Sequence, residues 1–248
     1  MKSLLLDIGN TRTKVAISNN GDIVEQKMLG VDASAELAAL CERYRIEGAI
    51  ASVVGPMPDF KCLIPVDIYS RFHLLSHNSH LPITIDYDTP ETLGMDRVAA
   101  VVGASVLCPD SPLVVVDAGS CITIDYLDAT NHYRGGAILP GINMRFKAMN
   151  QFTAALPLVT LSDDELRGAI STPMTGRSTR DSLVSGVCNA AIYEIEGFMR
   201  DYEKLSPGVK LFLTGGDAVF FANRLFFPNF ANSNLLFMGL DKILEMNI

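Results

Sequence analysis

The sequence predicts an α/β protein that consists of two duplicated halves. Short apolar runs with strand character alternate with longer segments of helical periodicity along the 248 residues. One strand-and-turn pattern opens both halves, and its two copies begin 110 residues apart. Apolar residues make up 48% of the sequence, which provides enough material for a core and argues against a disordered chain.

In the first half, strands are predicted where short apolar or β-branched runs end at turn residues: Leu4–Asp7, Thr13–Ser18, Ile23–Leu29 and Ala49–Val54. Asp32 or Ser34 can cap a helix that runs to about Tyr44. Four prolines between residues 56 and 82 predict irregular structure with short strands. Pro90 suits the first turn of a helix that continues through Leu107.

In the second half, the same criteria predict strands at Leu113–Val116, Ile122–Leu127, Tyr133–Leu139 and Val209–Thr214. Helical periodicity predicts helices at Gly141–Leu156, Thr179–Lys204, Ala218–Leu225 and Leu235–Met246. We therefore expect an N-terminal domain at 1–112 and a C-terminal domain at 113–248.

The segments Leu4–Thr13 and Val114–Thr123 share one pattern. In each, an apolar strand ends in Asp-x-Gly, a turn rich in side-chain oxygens follows, and a threonine stands six residues after the aspartate. One Asp-x-Gly after a strand can arise by chance. Two copies with matching flanks, one at the start of each half, are expected of a duplicated domain.

Asp7 and Asp117 end their strands beside glycine turns. Glycine lets an anion approach backbone N–H groups closely, and neighbouring amide and hydroxyl side chains add donors. Two such hairpins facing one another would form a cleft with N–H donors for phosphates and carboxylates for a cation such as Mg²⁺. Each aspartate alone is explained as well by a turn, but the pair favours the phosphate cleft.

A third glycine turn, Thr214-Gly215-Gly216-Asp217, follows a predicted strand and precedes a predicted helix. Two glycines there allow a flat ligand to lie against the backbone. A Gly-Gly turn alone is weak support, but as the third element after two Asp-x-Gly hairpins it indicates the adenine side of a nucleotide site.

Composition and charge exclude several classes of protein. Lys and Arg total 20 against 28 Asp and Glu, and no basic run occurs, so nucleic acid is not expected as a partner. The longest mostly apolar stretch, Val98–Cys108, is too short to span a bilayer, and Met1–Asp7 is too short for a signal peptide. Five cysteines without a C-x-x-C pair indicate reduced thiols in a cytoplasmic protein.

The order Asp7-x-Gly9-Asn10-Thr11, Asp117-x-Gly119-Ser120, Thr214-Gly215-Gly216 resembles the superfamily of actin, hexokinase and acetate kinase. Within that superfamily, the chain is similar to type III pantothenate kinases. The similarity includes three further motifs: Tyr87-x-x-Pro90-x-x-Leu93-Gly94-x-Asp96-Arg97, Gly135-Gly136-x-Ile138-x-Pro140-Gly141 and Thr179-x-x-Ser182-Leu183-x-x-Gly186. It implies two duplicated ribonuclease H-like (actin-like ATPase) domains with a nucleotide cleft between them.

The resemblance implies ATP-dependent phosphorylation of the primary hydroxyl of pantothenate, the first step toward coenzyme A, with Asp96 as the catalytic base. Its implied ATP-binding residues are Asp7, Ile8, Gly9, Asn10, Thr11, Arg12, Thr13, Lys14, Ser120, Gly215 and Gly216. Its implied pantothenate-binding residues are Tyr87, Gly94, Met95, Asp96, Arg97 and Thr179. Asp117 would bind a monovalent cation, K⁺ or NH₄⁺, and Asp7 is a candidate Mg²⁺ ligand. The family also implies a homodimer.

The chain departs from the family pattern at two places. Ser120-Cys121 stands where Thr-Ala is more common, and Met95 occupies a position that is often alanine. Serine keeps the hydroxyl, and neither change removes a charged group that phosphoryl transfer uses.

Other interpretations compete with the kinase. A polyphosphate-type phosphohydrolase of the same superfamily would need no alcohol acceptor, and a non-catalytic regulatory factor would not need Asp7, Asp96 and Asp117 together. His73, His77 and His80 mimic the spacing of metal ligands, but no cysteine or acidic residue completes a zinc site. Core packing or a dimer contact explains the phenylalanines late in the chain as well as a ligand does: Phe212, Phe220, Phe221, Phe226, Phe227 and Phe230.

Overall fold

The computed structural model describes residues 1–10, 12–168 and 172–248. Its strands are β1 Lys2–Ile8, β2 Thr13–Asn19, β3 Asp22–Met28, β4 Gly48–Val53, β5 Phe72–Leu74, β6 Thr84–Ile85, β7 Leu113–Ala118, β8 Cys121–Leu127, β9 His132–Pro140, β10 Lys210–Thr214 and β11 Asn229–Ala231. Its helices are α1 Ala33–Tyr44, α2 Phe60–Leu63, α3 Val66–Tyr69, α4 Met95–Leu107, α5 Ile142–Gln151, α6 Asp163–Arg167, α7 Thr179–Leu205, α8 Ala218–Ala222 and α9 Leu235–Glu245.

The strands form two sheets whose orders correspond. The first sheet has the order β3-β2-β1-β4-β5, and the second has the order β11-β10-β7-β8-β9-β6. In each, the strand that ends in Asp-x-Gly lies between its antiparallel hairpin partner and a parallel strand from later in the chain. The predicted α/β fold with a duplicated core is therefore confirmed.

The chain divides into two compact units. The first contains residues 1–110, 131–133 and 234–248, and the second contains residues 111–130 and 134–233. The C-terminal segment 234–248, which sequence analysis assigned to the second domain, thus groups with the first unit. The reason is packing, because α9 lies against α4, β1 and β4.

The first unit has a core on one face of its sheet, where alternate residues of β1, β2 and β4 pack against α1. Asp32 caps α1, since its carboxylate accepts a hydrogen bond from the Ala35 N–H at 3.2 Å. Leu37, Leu40 and Cys41 form the buried face of this helix. The other face of the sheet is covered by α4 and α9.

The second unit packs β7, β8 and β10 against α5, α7 and α8. The strands β7, β8, β9 and β10 were predicted within one or two residues, whereas β11 was not predicted. Its helices α5 and α8 end earlier than predicted, at Gln151 and Ala222. Among the described residues, no helix is long and apolar enough to cross a membrane.

The segment after Pro90 differs from the prediction of one continuous helix. A 3-10 turn covers Pro90–Thr92, and α4 begins at Met95 after extended backbone at Leu93 and Gly94. The break places Asp96 in the first turn of α4 instead of inside a longer helix. The N-terminus of α4 therefore lies directly beside Asp96.

Candidate functional site

The first hairpin is a tight connection between β1 and β2. Asp7 is paired with Lys14 and Ile8 with Thr13, so the turn spans residues 9–12. The Gly9 N–H donates to the Arg12 carbonyl oxygen at 3.1 Å and closes the turn. Asn10 and Arg12 are exposed at its tip, whereas Thr11 lies outside the described residues.

Asp7 is the buried carboxylate of this hairpin, with only 14% of its side chain exposed. Its pKa is raised from 3.8 to about 6, mainly because the carboxylate is buried; the nearby Lys14 lowers the pKa, and the nearby Asp96 raises it. The Lys14 Nζ lies 3.9 Å from the Asp7 carboxylate. Two carboxylates held near one another in a half-buried site are stabilised when a cation binds.

Asp96 and Arg97 lie in the first turn of α4. Gly94 is the N-cap, and its missing side chain leaves room for Asp96, since an added Cβ would lie 2.6 Å from the Asp96 Oδ1 atom. That Oδ1 atom accepts a hydrogen bond from the Arg97 N–H at 2.9 Å. The Met95 and Arg97 side chains are buried, with 8% and 7% exposed. The structure therefore brings the end of the Tyr87–Arg97 motif, which is predicted to bind the acceptor pantothenate and is called the acceptor motif below, within electrostatic range of the first hairpin.

Two of the residues predicted to bind pantothenate lie outside the first turn of α4. Tyr87 is half-buried in the first unit, and its ring centroid lies 6.2 Å from that of Tyr133. Thr179 is the exposed first residue of α7 and belongs to the second unit. Tyr87 and Gly94 are therefore on one unit and Thr179 on the other.

The second hairpin also reverses the chain directly after its aspartate, but its turn is one residue shorter than that of the first. Asp117 pairs with Thr123 on β8, and the Gly119 N–H donates to the Cys121 carbonyl oxygen at 2.9 Å. Ser120 is exposed at the tip of this turn. An added Cβ at Gly141, the N-cap of α5, would lie 2.2 Å from the Gly119 carbonyl oxygen. Glycine is therefore required where α5 begins against the turn.

The Gly-Gly turn lies directly against the second hairpin. Thr214 pairs with Asp117, and the Asp217 N–H donates to the Ala118 carbonyl oxygen at 2.9 Å. Gly215 has a φ of +92°, and an added Cβ would lie 2.4 Å from the Asp117 Oδ1 atom. Only glycine can adopt this backbone so close to the carboxylate. The structure thus brings two of the sequence-predicted nucleotide motifs together in one unit.

A cavity of about 400 Å³ opens beside the Gly-Gly turn. Its lining combines residues of that turn and of α8 with residues of α6: Asp163, Leu166, Arg167, Gly216, Asp217, Val219 and Phe220. Burial raises the pKa of Asp217. Sequence analysis missed α6, although Ser162 and Glu165 form a capping box that marks its start.

Protein ligands alone do not form a metal cage in the part of the chain that the structure describes. No group of three or more His, Cys, Asp or Glu side chains that could hold a metal ion occurs there. A Mg²⁺ ion that binds together with a nucleotide needs only one or two carboxylates, because phosphate oxygens and water complete its shell. The carboxylate of Asp7 could serve as one such ligand. Of the three histidines whose spacing mimics that of metal ligands, His73 forms a hydrogen bond with Ser79, whose Oγ atom lies 2.7 Å from the His73 Nε2 atom.

Comparison with known proteins identifies close relatives. The family description "Type III pantothenate kinase" matches residues 3–201. A type III pantothenate kinase of Phocaeicola vulgatus is 40% identical over 99% of this chain and 98% of its own length. A solved Campylobacter jejuni structure, described as a conserved putative Baf family transcriptional activator, is 26% identical with a TM-score of 0.63 and covers 98% and 97% of the two chains.

The fold extends to more distant kinases. A putative 2-dehydro-3-deoxygalactonokinase from Sinorhizobium meliloti superposes with a TM-score of 0.57 over 97% of this chain and 95% of that one, at 13% identity. This similarity supports the duplicated α/β fold alone, because sequence identity at that level does not carry function.

Proposed function

The chain belongs to the type III pantothenate kinase family, and from this premise we propose which of its residues carry out the reaction. The enzyme transfers a phosphoryl group from ATP to pantothenate, an early step of coenzyme A biosynthesis, and uses a divalent metal ion. The observation that best supports our assignment is the electrostatic interaction between Asp96 and Asp7, because it links the acceptor motif with the hairpin that we propose to bind the phosphates.

Asp96 is proposed as the catalytic base. Phosphoryl transfer depends mainly on positioning and charge neutralisation, so a carboxylate that accepts a hydrogen bond from the acceptor hydroxyl and orients it is sufficient. The Arg97 N–H donates to one oxygen of Asp96, which fixes the carboxylate while its second oxygen can accept the proton. The buried Arg97 side chain is proposed to hold the transferred phosphoryl group or the pantothenate carboxylate.

The ATP phosphates are assigned to the first hairpin, from Asp7 to Lys14, with Ser120 as a contact from the second hairpin. Lys14 brings a positive charge, and the turn offers backbone N–H groups. Asp7 would hold Mg²⁺, which neutralises the phosphate charge when bound. Gly215 and Gly216 would receive the adenosine, since a cavity opens beside Gly216.

Pantothenate is assigned to Tyr87, Gly94, Met95, Asp96, Arg97 and Thr179. Because Thr179 is exposed on the second unit, its contribution fits a pocket completed by a second copy of the chain. The homodimer is supported by large apolar side chains that are exposed in the single chain, among them Phe152 at 79% and Met174 at 83%.

Asp117 is proposed as the ligand of a monovalent cation, K⁺ or NH₄⁺. Its carboxylate lies against the backbone of Gly215, so a cation there would adjoin the carbonyl groups of the Gly-Gly turn. We also propose that the enzyme acts in the cytoplasm, where ATP is supplied.

The test is ADP release from MgATP with and without pantothenate, in potassium buffer and then in sodium buffer. We expect ADP only with pantothenate, together with a product whose mass equals that of phosphopantothenate. ADP release without an acceptor would instead support a phosphohydrolase. The absence of ADP under every condition would contradict the kinase and favour a regulatory role.

A further inference from the structure

A row of three polar side chains crosses the first sheet at the end of β1. Lys14 on β2 and Ser52 on β4 are the register partners of Asp7 on its two sides. Paired residues on neighbouring strands project from the same face of a sheet. Lys14, Asp7 and Ser52 therefore share one face, which is the face covered by α4.

We infer that Ser52 is a further positioning residue of the phosphate site, and that its hydroxyl holds the Asp7 carboxylate in place when a metal-bound nucleotide occupies the hairpin. The inference rests on the proposed role of Asp7. It adds a residue from β4, a strand outside the motifs that sequence analysis singled out.

The Ser52 hydroxyl is buried in the first sheet. The residue is 1% exposed, and within the described residues its Oγ atom has no hydrogen-bond partner. A buried hydroxyl without a partner is unfavourable, so such groups are rare and need an explanation. Our explanation is that the hydroxyl gains its partner on ligand binding, either from the ligand itself or from an Asp7 carboxylate that shifts toward it.

The second unit contains the matching arrangement. Asp117 ends β7 as Asp7 ends β1, and its register partner on the parallel strand β10 is Thr214, a hydroxyl residue that is 3% exposed. Both hairpin aspartates therefore have a buried hydroxyl residue beside them on the parallel strand. Repetition at equivalent places of a duplicated fold argues that the hydroxyl serves the carboxylate.

Ser3 provides a matched control on the same sheet. It lies at the other end of β1, is fully buried, and its Oγ atom also has no hydrogen-bond partner among the described residues. Its register partner on β4 is Gly48, not a residue of the site. Removal of either hydroxyl therefore makes the same local change, but only Ser52 adjoins Asp7.

The experiment compares Ser52→Ala, Ser3→Ala and Asp7→Asn with the wild-type enzyme. Thermal unfolding of the ligand-free proteins is measured first, and binding of ADP with and without Mg²⁺ is then measured by calorimetry. Both alanine variants should unfold at or above the wild-type temperature, because each loses an unsatisfied buried hydroxyl. Ser52→Ala should bind MgADP about tenfold more weakly, whereas Ser3→Ala should stay within about twofold.

The steady-state constants supply a second readout. Ser52→Ala should raise KM for MgATP more than KM for pantothenate, which a general loss of packing would not do. Wild-type MgADP affinity in Ser52→Ala, together with weakened affinity in Asp7→Asn, would overturn the role of Ser52 and leave the phosphate site intact. Wild-type affinity in both variants would overturn the proposed phosphate site itself.

Discussion

Gly103 of α4 and Gly239 of α9 meet at the point where the two helices cross. An added Cβ at Gly239 would lie 1.8 Å from the Ala99 carbonyl oxygen, and one at Gly103 would lie 1.9 Å from the Leu235 carbonyl oxygen. The backbones therefore touch, which only glycine allows. Because α4 begins with the acceptor motif, this contact helps to fix the position of Asp96 relative to the first sheet.

Gly239→Ala should destabilise the protein strongly. The methyl group would meet backbone, so the helices must separate, at a cost of about 3 kcal/mol or more. Urea unfolding measures the effect.

Gly197→Ala is the control, since a Cβ atom added at Gly197 would have its nearest neighbour at 3.9 Å. This control substitution should stabilise the protein by about 0.5–1 kcal/mol. Equal stability of the two variants would contradict the tight crossing.

The hairpins could be predicted from sequence because their information is local. Short strands and turn residues predicted β1, β2 and the turn between them, and the structure adds the register that pairs Asp7 with Lys14. The capping box at Ser162 was equally local and could have revealed α6. The start of α4 was predicted too early, because Pro90 is a good first helical residue and the extended backbone at Gly94 is not visible in periodicity.

The remaining features depend on contacts between distant parts of the chain. Sequence pattern does not show that Ser52 becomes the neighbour of Asp7, because the parallel pairing joins segments 45 residues apart. It also does not show that α9 returns to the first unit, where Asp241 accepts a hydrogen bond from Ser18 at 2.6 Å. Both facts follow from tertiary packing.

Asp96→Asn should abolish most turnover while leaving nucleotide binding intact. The amide keeps an oxygen that can accept the hydrogen bond from the Arg97 N–H, but it cannot take a proton. We expect kcat to fall by about 10²–10⁴-fold, the range for loss of a general base. Single-turnover kinetics and MgADP calorimetry measure the two properties. Wild-type kcat in the variant would disprove the assignment of Asp96 as the base.

Asp7→Asn should stabilise the ligand-free protein near neutral pH. The pKa of Asp7 is raised from 3.8 to about 6, mainly by burial, so the folded state holds this proton more tightly than the unfolded state. The free energy of unfolding of the wild type therefore falls as the pH rises from about 4 to about 6. The rise in pKa corresponds to a loss of about 3 kcal/mol in the free energy of unfolding above that range, a net value that already includes the attraction to Lys14.

The measurement is urea unfolding in EDTA at pH 4, pH 6 and pH 7.5, which avoids the sequence pI near 5.0 where precipitation is favoured. The gain in the free energy of unfolding from Asp7→Asn should be absent at pH 4 and complete at pH 7.5. Asp201→Asn is the control, because its exposed carboxylate has its pKa lowered by a hydrogen bond from Lys204. A constant difference between Asp7→Asn and wild type across the three pH values would contradict the raised pKa.

Asp117→Asn should remove the preference for potassium. If Asp117 binds a monovalent cation beside Gly215, the wild-type rate at saturating MgATP and pantothenate should be higher in K⁺ or NH₄⁺ than in Na⁺, whereas the variant should show one low rate in all three. Initial rates at constant ionic strength measure this difference.

Asp128→Asn is the matched control. Asp128 forms an ion pair with Arg134 at 2.7 Å, and its substitution should leave the cation dependence unchanged. A variant at Asp117 that still responds to potassium as the wild type does would place the cation elsewhere, because a neutral amide binds a monovalent cation more weakly than a carboxylate does.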